Sequence, residues 1–138
     1  MLTVDANVWI AAFDPHDGFH GASVAFLRTL AARGIAPCGP AFVVIEVGCA
    51  LARRAKDPDA GAVAQERLLS HPSLHLHPLD EALLSLARGT GPERLLRGAD
   101  ALYAAVAAAL GAPLVSWDQE LLERAEATTP EAWLAANP

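Results

Sequence analysis

Asp5, Glu46, Asp100 and Asp118 put carboxylates in or beside segments that are otherwise apolar. Asp5 ends the start Met-Leu-Thr-Val. Glu46 interrupts Ala-Phe-Val-Val-Ile-Glu-Val. Asp100 opens the Ala/Leu/Val run that ends at Leu110, and Asp118 follows Pro-Leu-Val-Ser-Trp. A carboxylate in or beside a buried element is costly unless it is paired or bound to a metal. Basic residues are scarce in these segments, so a shared divalent cation is the economical explanation. Such a set suits phosphodiester hydrolysis, which needs an activated water and neutralised charge on the phosphate and leaving oxygen. One or two Mg²⁺ or Mn²⁺ ions do both, about 3.5–4 Å apart where there are two. Mg²⁺ takes oxygen ligands and keeps several waters, so a few carboxylates suffice. The acids therefore point to a metal-dependent nuclease, and their mutual repulsion predicts raised carboxylate pKa values without metal.

Taken singly, three of the acids have ordinary explanations. Asp5-x-Asn7 fits an Asx turn after a strand. Asp100 is a helix-start acid favoured by the macrodipole. Asp118 fits the N-cap of a following helix. Glu46 has no obvious partner in its apolar run. In combination the four favour one site. Asp5 and Asp118 would be ligands fixed at strand ends, and Asp100 a third at a helix start. Glu46, on a longer stem, would hold a metal or its bound water.

The elements that must position them alternate between short apolar strands and helices. Strands are expected at Leu2 to Val4, Ile35 to Cys38, Leu74 to Pro78 and Leu114 to Trp117. Helices are expected from about Gly21 to Arg33, Ala60 to Ser70, Asp80 to Ala87, Gly98 to Leu110 and Gln119 to Ala127. Gly34 and Gly111 read as stops. Pro40 suits a first helical turn. Phe42 to Val47 is ambiguous: its β-branched residues favour strand, whereas its continuation through Arg54 favours a helix from about Ala41. Asp57-Pro58-Asp59 reads as a break, and Asp14 to Gly18 and Gly89-Thr90-Gly91-Pro92 as loops. Thr129-Pro130-Glu131 reads as the cap and first turn of a last short helix carrying Trp133. This alternation predicts one α/β domain over residues 1–138 with a mainly parallel sheet. Ligands of such sheets bind beyond the carboxyl ends of the strands, where Asp5 and Asp118 sit.

The totals agree with a packed domain. The 138 residues suffice for one core, and 53 % hydrophobic residues exclude a disordered chain. Apolar runs broken by charge, Gly or Pro leave no bilayer-spanning segment, and no signal peptide is expected. Cys38 and Cys49 make no disulfide framework and read as reduced, buried thiols of a cytoplasmic protein. A net charge of −6 counts against a simple nucleic-acid-binding module. It does not exclude a nuclease whose acids are offset by bound cations.

Val4-Asp5-Ala6-Asn7-Val8-Trp9-Ile10, Glu46, Asp100-Ala101-Leu102-Tyr103-Ala104-Ala105-Val106-Ala107 and Leu114-Val115-Ser116-Trp117-Asp118 together resemble the PIN-domain ribonucleases. The resemblance is nearest to the VapC-type toxins of bacterial toxin–antitoxin pairs and covers nearly the whole chain. Its most specific part is the last: Asp-Ala, an apolar helix, then Leu-Val-x-x-Asp. The resemblance implies a three-layer α/β/α fold, Mg²⁺ or Mn²⁺ as cofactor, and endonucleolytic cleavage of RNA. It carries the acid site onto Asp5, Glu46, Asp100 and Asp118, with Asn7 and Ser116 orienting them. Ser116 stands where Thr is commoner and keeps the hydroxyl. Glu120 lies where some relatives place a further acid, although a helix-start acid needs no other role. A homodimer and a cognate antitoxin whose C-terminal segment covers the acids are inherited expectations.

Other residues invite functions. Arg88, Arg94 and Arg97 precede Asp100 and read either as a solvated face or as a rim meeting RNA phosphates. Arg53, Arg54 and Lys56 end the Glu46 helix as dipole-favoured charges. His71, His75 and His77 lack the further ligands of a zinc site, and His16 and His20 are expected in solvent. Trp9, Trp117 and Trp133 read as core or interface rather than base platforms. Two alternatives stay open: a DNA-directed PIN-like nuclease, and a catalytically silent scaffold that binds a protein partner. A phosphoacceptor signalling domain lacks support, because Lys56 is the sole lysine and no adjacent acid pair follows the first strand.

Overall fold

Four short runs pair as parallel strands in a computed structural model that describes residues 1–138: β1 (Leu2–Val4), β2 (Pro37–Pro40), β3 (His75–His77) and β4 (Leu114–Val115). Their order is β3-β2-β1-β4, with Thr3 opposite both Cys38 and Leu114. Eight helices connect and cover them: α1 (Ala6–Phe13), α2 (His20–Ala32), α3 (Val43–Ala55), α4 (Pro58–Leu69), α5 (Glu81–Glu93), α6 (Gly98–Leu110), α7 (Gln119–Arg124) and α8 (Pro130–Ala136). The strand period of two sorts the side chains. Leu2 and Val4 join a core with Trp9, Phe26, Leu30 and Trp133. Thr3 turns the other way, towards Cys38, Leu83 and Ala105 on the α5–α6 side. The result is a three-layer α/β/α domain.

Several boundaries differ from the sequence expectation, each for a packing reason. Strand β2 runs to Pro40, so Pro40 ends a strand instead of opening a helix. Its missing N–H costs nothing there, because the Ala41 N–H reaches the His77 carbonyl at 2.8 Å. The ambiguous run is helical: Val43 and Val47 are buried one turn apart, while Ile45 is 52 % exposed. Burial of one helical face thus overrides β propensity. Asp57-Pro58 starts α4, with the Asp57 carboxylate accepting from the Asp59 N–H and Pro58 in the first turn.

The expected loop Gly89–Pro92 lies within α5. Gly91 there packs against α6, where an added Cβ would lie 3.0 Å from the Ala101 Cβ. Helix α7 stops at Arg124, and the chain returns through Glu126, at φ 56°, so that the Thr128 carbonyl accepts from the Ser116 N–H at 3.0 Å. Cys38 is buried as expected, but Cys49 is exposed on α3. His20 is half-buried, its Nδ1 2.9 Å from the Ala11 carbonyl oxygen. No helix is long and apolar enough to cross a membrane.

Because β1 has β2 on one side and β4 on the other, the chain changes direction across the sheet at the β1–β4 boundary. A parallel sheet opens a crevice at such a switch point. Helix α3 lines this region with Glu46, Cys49 and Arg53, and α4 packs closely on α3 at Gly48 and Gly61. A Cβ on Gly61 would lie 2.6 Å from the Gly48 carbonyl oxygen and 2.9 Å from the Ala52 Cβ. Gly61→Ala is therefore expected to lower unfolding free energy by about 1–3 kcal/mol through overpacking. Gly89→Ala, with open space around the new methyl, serves as the control in urea titrations. Equal midpoints for the two variants would disprove the close crossing.

Candidate metal centre

Asp5 leaves the carboxyl end of β1 and stands at the N-cap of α1, yet its side chain makes no cap bond. Instead its Oδ2 accepts the Ser116 hydroxyl at 2.6 Å. Ser116 is held in turn: its Oγ accepts the Asp118 N–H at 2.8 Å and the Asn7 Nδ2–H at 3.2 Å. Asn7 Oδ1 accepts the Trp117 N–H at 3.2 Å. The ends of β1 and β4 are thereby tied by side chains as well as by the Asp5 N–H, which donates to the Val115 carbonyl at 3.0 Å. Every polar valence of Ser116 Oγ is committed, which fixes the Asp5 carboxylate.

Asp118 does use its side chain as a cap. Its Oδ1 accepts the N–H groups of Glu120 and Leu121 at the start of α7. Its Oδ2 remains outside the cap and meets Arg97 Nη2 at 2.7 Å. Arg97 Nε lies 2.8 Å from Asp100 Oδ2 and 3.3 Å from Glu120 Oε2. Glu46, in the first turn of α3, accepts the Tyr103 hydroxyl at 2.5 Å. The apolar run around Glu46 hid this partner, which comes from α6, one turn beyond Asp100. Spacing in α6 carried the signal, since residues i and i+3 share a helix face.

Asp5, Asn7, Glu46, Arg97, Asp100 and Asp118 line one cavity. All four acids singled out in the sequence thus converge, although they come from four separate segments. Asp100, Asp118 and Glu120 each offer an oxygen within 4.8 Å of the other two. Glu120 therefore stands inside the acid group, closer to Asp100 and Asp118 than its helix-start position required. Arg53 and Cys49 also line the cavity, and neither was read as part of it from the sequence. The three arginines before Asp100 part company. Arg97 sits among the acids, Arg94 lines a separate cavity with Pro113 and Glu126, and Arg88 borders an apolar groove with Leu84 and Leu95. Arg54 pairs with Asp14 and Asp17, each at 2.8 Å. His75 and His77 lie on the edge strand, and His71 packs edge-on against Trp9. Trp9 and Trp133 are buried, and Trp117 stacks on Phe19 at 4.2 Å.

The donor set is all oxygen, anionic and partly buried. This chemistry fits a hard divalent cation better than a thiolate-seeking one. Five carboxylates face Arg97 and Arg53, so the protein's own cations leave an excess of negative charge.

Comparison with known proteins places this geometry in a family context. A family model described as PIN domain matches residues 2–127. Among solved structures, the chain resembles VapC20 of Mycobacterium tuberculosis, described as a sarcin-ricin-loop-cleaving toxin. Identity is 22 %, with 89 % of this chain and 94 % of that one covered and a TM-score of 0.74. PAE2754 from Pyrobaculum aerophilum gives 26 % identity, 98 % and 94 % coverage, and a TM-score of 0.68. A toxin–antitoxin complex from Klebsiella pneumoniae gives 14 % identity, 94 % and 98 % coverage, and a TM-score of 0.65. No curated protein sequence matches the chain.

Asp5, Glu46 and Asp100 titrate above the usual carboxylate range, and burial is the first cause in each case. Burial lifts Asp5 to about 7, aided by the charges of Glu46 and Asp100 and opposed by the Ser116 hydrogen bond. Burial likewise raises Glu46, against the Tyr103 bond, and Asp100, against Arg97. The repulsion expected from the sequence is present but ranks below desolvation. A folded-state pKa above the unfolded value means that folding takes up a proton. The resulting stability is full below about pH 4 and lost as pH rises through about 7. In the presence of a chelator, the urea midpoint of the wild type is expected to fall between pH 5 and pH 8. Asp5→Asn should flatten that slope. An unchanged slope in the variant would remove Asp5 as its source.

Proposed function

The chain belongs to the PIN domain family, and from that premise we propose that it is a divalent-metal-dependent endoribonuclease, the toxin of a toxin–antitoxin pair. The observation that carries this reading is the convergence of Asp5, Glu46, Asp100 and Asp118 on one cavity at the switch point of the sheet. The family match and the likeness to a protein described as a cleaving toxin support it. Asp100 and Asp118 would hold the metal, with Glu120 and Asp5 completing its surroundings. The ion would supply charge neutralisation at the phosphate and a water of lowered pKa.

The chain's own residues have defined tasks in this scheme. Ser116 and Asn7 hold the Asp5 carboxylate in one orientation. Asp118 Oδ1 stays on the α7 cap, so Oδ2 alone faces the cavity. One oxygen of Glu46, Oε2, is fixed by Tyr103, which leaves Oε1 to accept a proton from the attacking water. A carboxylate raised by burial is a stronger base than an exposed one, which suits that task near neutral pH. Arg53, on the cavity wall, offers a cation to a backbone phosphate. The antitoxin and a homodimer belong to the same proposal, the former supported by likeness to a chain from a toxin–antitoxin complex. A cytoplasmic setting goes with both.

Purified protein is expected to cleave RNA into discrete products in Mg²⁺ or Mn²⁺ and to lose this activity in EDTA. Asp5→Asn, Asp100→Asn and Asp118→Asn should each lower cleavage by at least about 10²-fold, while circular dichroism stays native. Matched DNA oligomers should survive. Retained cleavage in all three variants would overturn the site, and preferential DNA cleavage would overturn the substrate class.

Ser116 offers a milder test. Ser116→Ala removes the hydroxyl that orients Asp5 and should reduce cleavage about 10- to 100-fold, whereas Ser116→Thr should restore most of it. Equal activity of the Ala and Thr variants would show that the hydroxyl orients nothing that the reaction uses.

A further inference from the structure

The acid cavity contains a cation of the protein's own, and it engages the oxygens a metal would need. Arg97 reaches Asp118 Oδ2 through Nη2 at 2.7 Å and Asp100 Oδ2 through Nε at 2.8 Å, with Glu120 Oε2 3.3 Å from Nε. These three residues are the same ones whose oxygens cluster within 4.8 Å. For Asp118 the overlap is strict. Its Oδ1 is committed to the N–H groups of Glu120 and Leu121, so Oδ2 is what it can offer a metal, and Oδ2 is the atom that Arg97 holds. A second cation on that oxygen would stand against the guanidinium and be repelled by it.

The local backbone carries an independent observation. Arg97 occupies the N-cap of α6, where Ser, Thr, Asp or Asn would satisfy the first amides. A guanidinium accepts no hydrogen bond, and no side chain caps this helix. The position therefore forgoes a cap and gains a planar donor fork aimed at carboxylates. The side chain is 63 % exposed, so it can leave the acids for solvent without opening the core.

We propose that Arg97 is a resident counter-cation that a divalent ion must displace, and that it thereby sets the metal affinity of the site. It holds Asp100, Asp118 and Glu120 together when metal is scarce and gives way when metal is abundant. Arg97 is a positioning residue in this role, acting through the acids. The inference rests on the metal-dependent reading above.

Mn²⁺ affinity of the full chain, measured by calorimetry and by the electron paramagnetic resonance signal of free Mn²⁺, tests it without recourse to activity. Arg97→Gln is expected to bind Mn²⁺ about tenfold more tightly than the wild type, the scale of losing hydrogen bonds to charged groups. In chelator the same variant should unfold at a lower temperature, and saturating Mn²⁺ should raise its melting temperature more than that of the wild type. Arg97→Lys keeps the charge, loses the fork and should fall between the two. It also serves as the test if Arg97→Gln does not fold. Arg53→Gln, on the same cavity wall but bonded to no carboxylate, should shift affinity less. Equal or weaker Mn²⁺ binding by folded Arg97 variants would overturn this inference and leave the metal-dependent reading standing. Absence of Mn²⁺ binding in every protein, wild type included, would overturn both.

Discussion

Carboxylates gathered at the β1–β4 boundary repel one another and resist burial, and the surrounding structure is arranged to hold them there. Asp5 is 5 % exposed and Asp100 8 %. The acids are met by polar groups of several kinds: a hydroxyl at Asp5, a phenol at Glu46, the Arg97 guanidinium at both Asp100 and Asp118, and two backbone amides at Asp118. These contacts offset part of the desolvation cost without removing it, as the raised pKa values of Asp5, Glu46 and Asp100 attest. A core built for stability alone would place hydrocarbon at these positions. Strain of this kind concentrates at functional sites, where it is compensated by the rest of the fold.

That compensation comes from elements that converge on the crevice. The strand order brings the end of β1 beside the end of β4, although more than a hundred residues separate them in the chain. Helix α6 then presents Asp100 and Tyr103 from one face, one to Arg97 and the other to Glu46. Helix α3 presents Glu46 from its first turn, and its packing on α4 depends on glycines that allow near backbone contact. The side-chain bridge from Asn7 through Ser116 to Asp5 joins the two strand ends more firmly than two short strands would by themselves. Position of the acids and cohesion of the small sheet are therefore coupled.

Much of this was legible in the sequence, because acids in apolar runs are costly enough to be noticed. The strand at Leu2–Val4, the stop at Gly111, with φ 58°, and the caps Asp118 and Thr129 all follow from local chemistry. What escaped was what depends on distant partners. Gly89-Thr90-Gly91-Pro92 reads as a loop by composition, yet Ala101 on α6 makes Gly91 the small residue a close helix pair requires. Tyr103 as the partner of Glu46 spans 57 positions, and Arg53 faces the cavity only because α3 is a helix. Arg97 and Asp100 stand three apart at a helix start, so their pairing carried a local signal. Its extension to Asp118 did not.

In the proposed site, Asp118 would serve fold and chemistry without conflict. A carboxylate has two oxygens, and here they are divided: Oδ1 closes the first turn of α7, while Oδ2 turns into the acid cavity. The cap draws on amides that the α7 start must satisfy in any case. Orienting Oδ2 therefore adds little entropic cost, since capping already fixes the side chain. The ordinary explanation of this residue as an N-cap and its reading as a site acid are thus complementary. The same economy fails at Asp5, where no cap bond forms and a separate hydroxyl must do the fixing. Asp5 is accordingly the acid whose titration is most displaced, since neither a cap nor a guanidinium balances its burial.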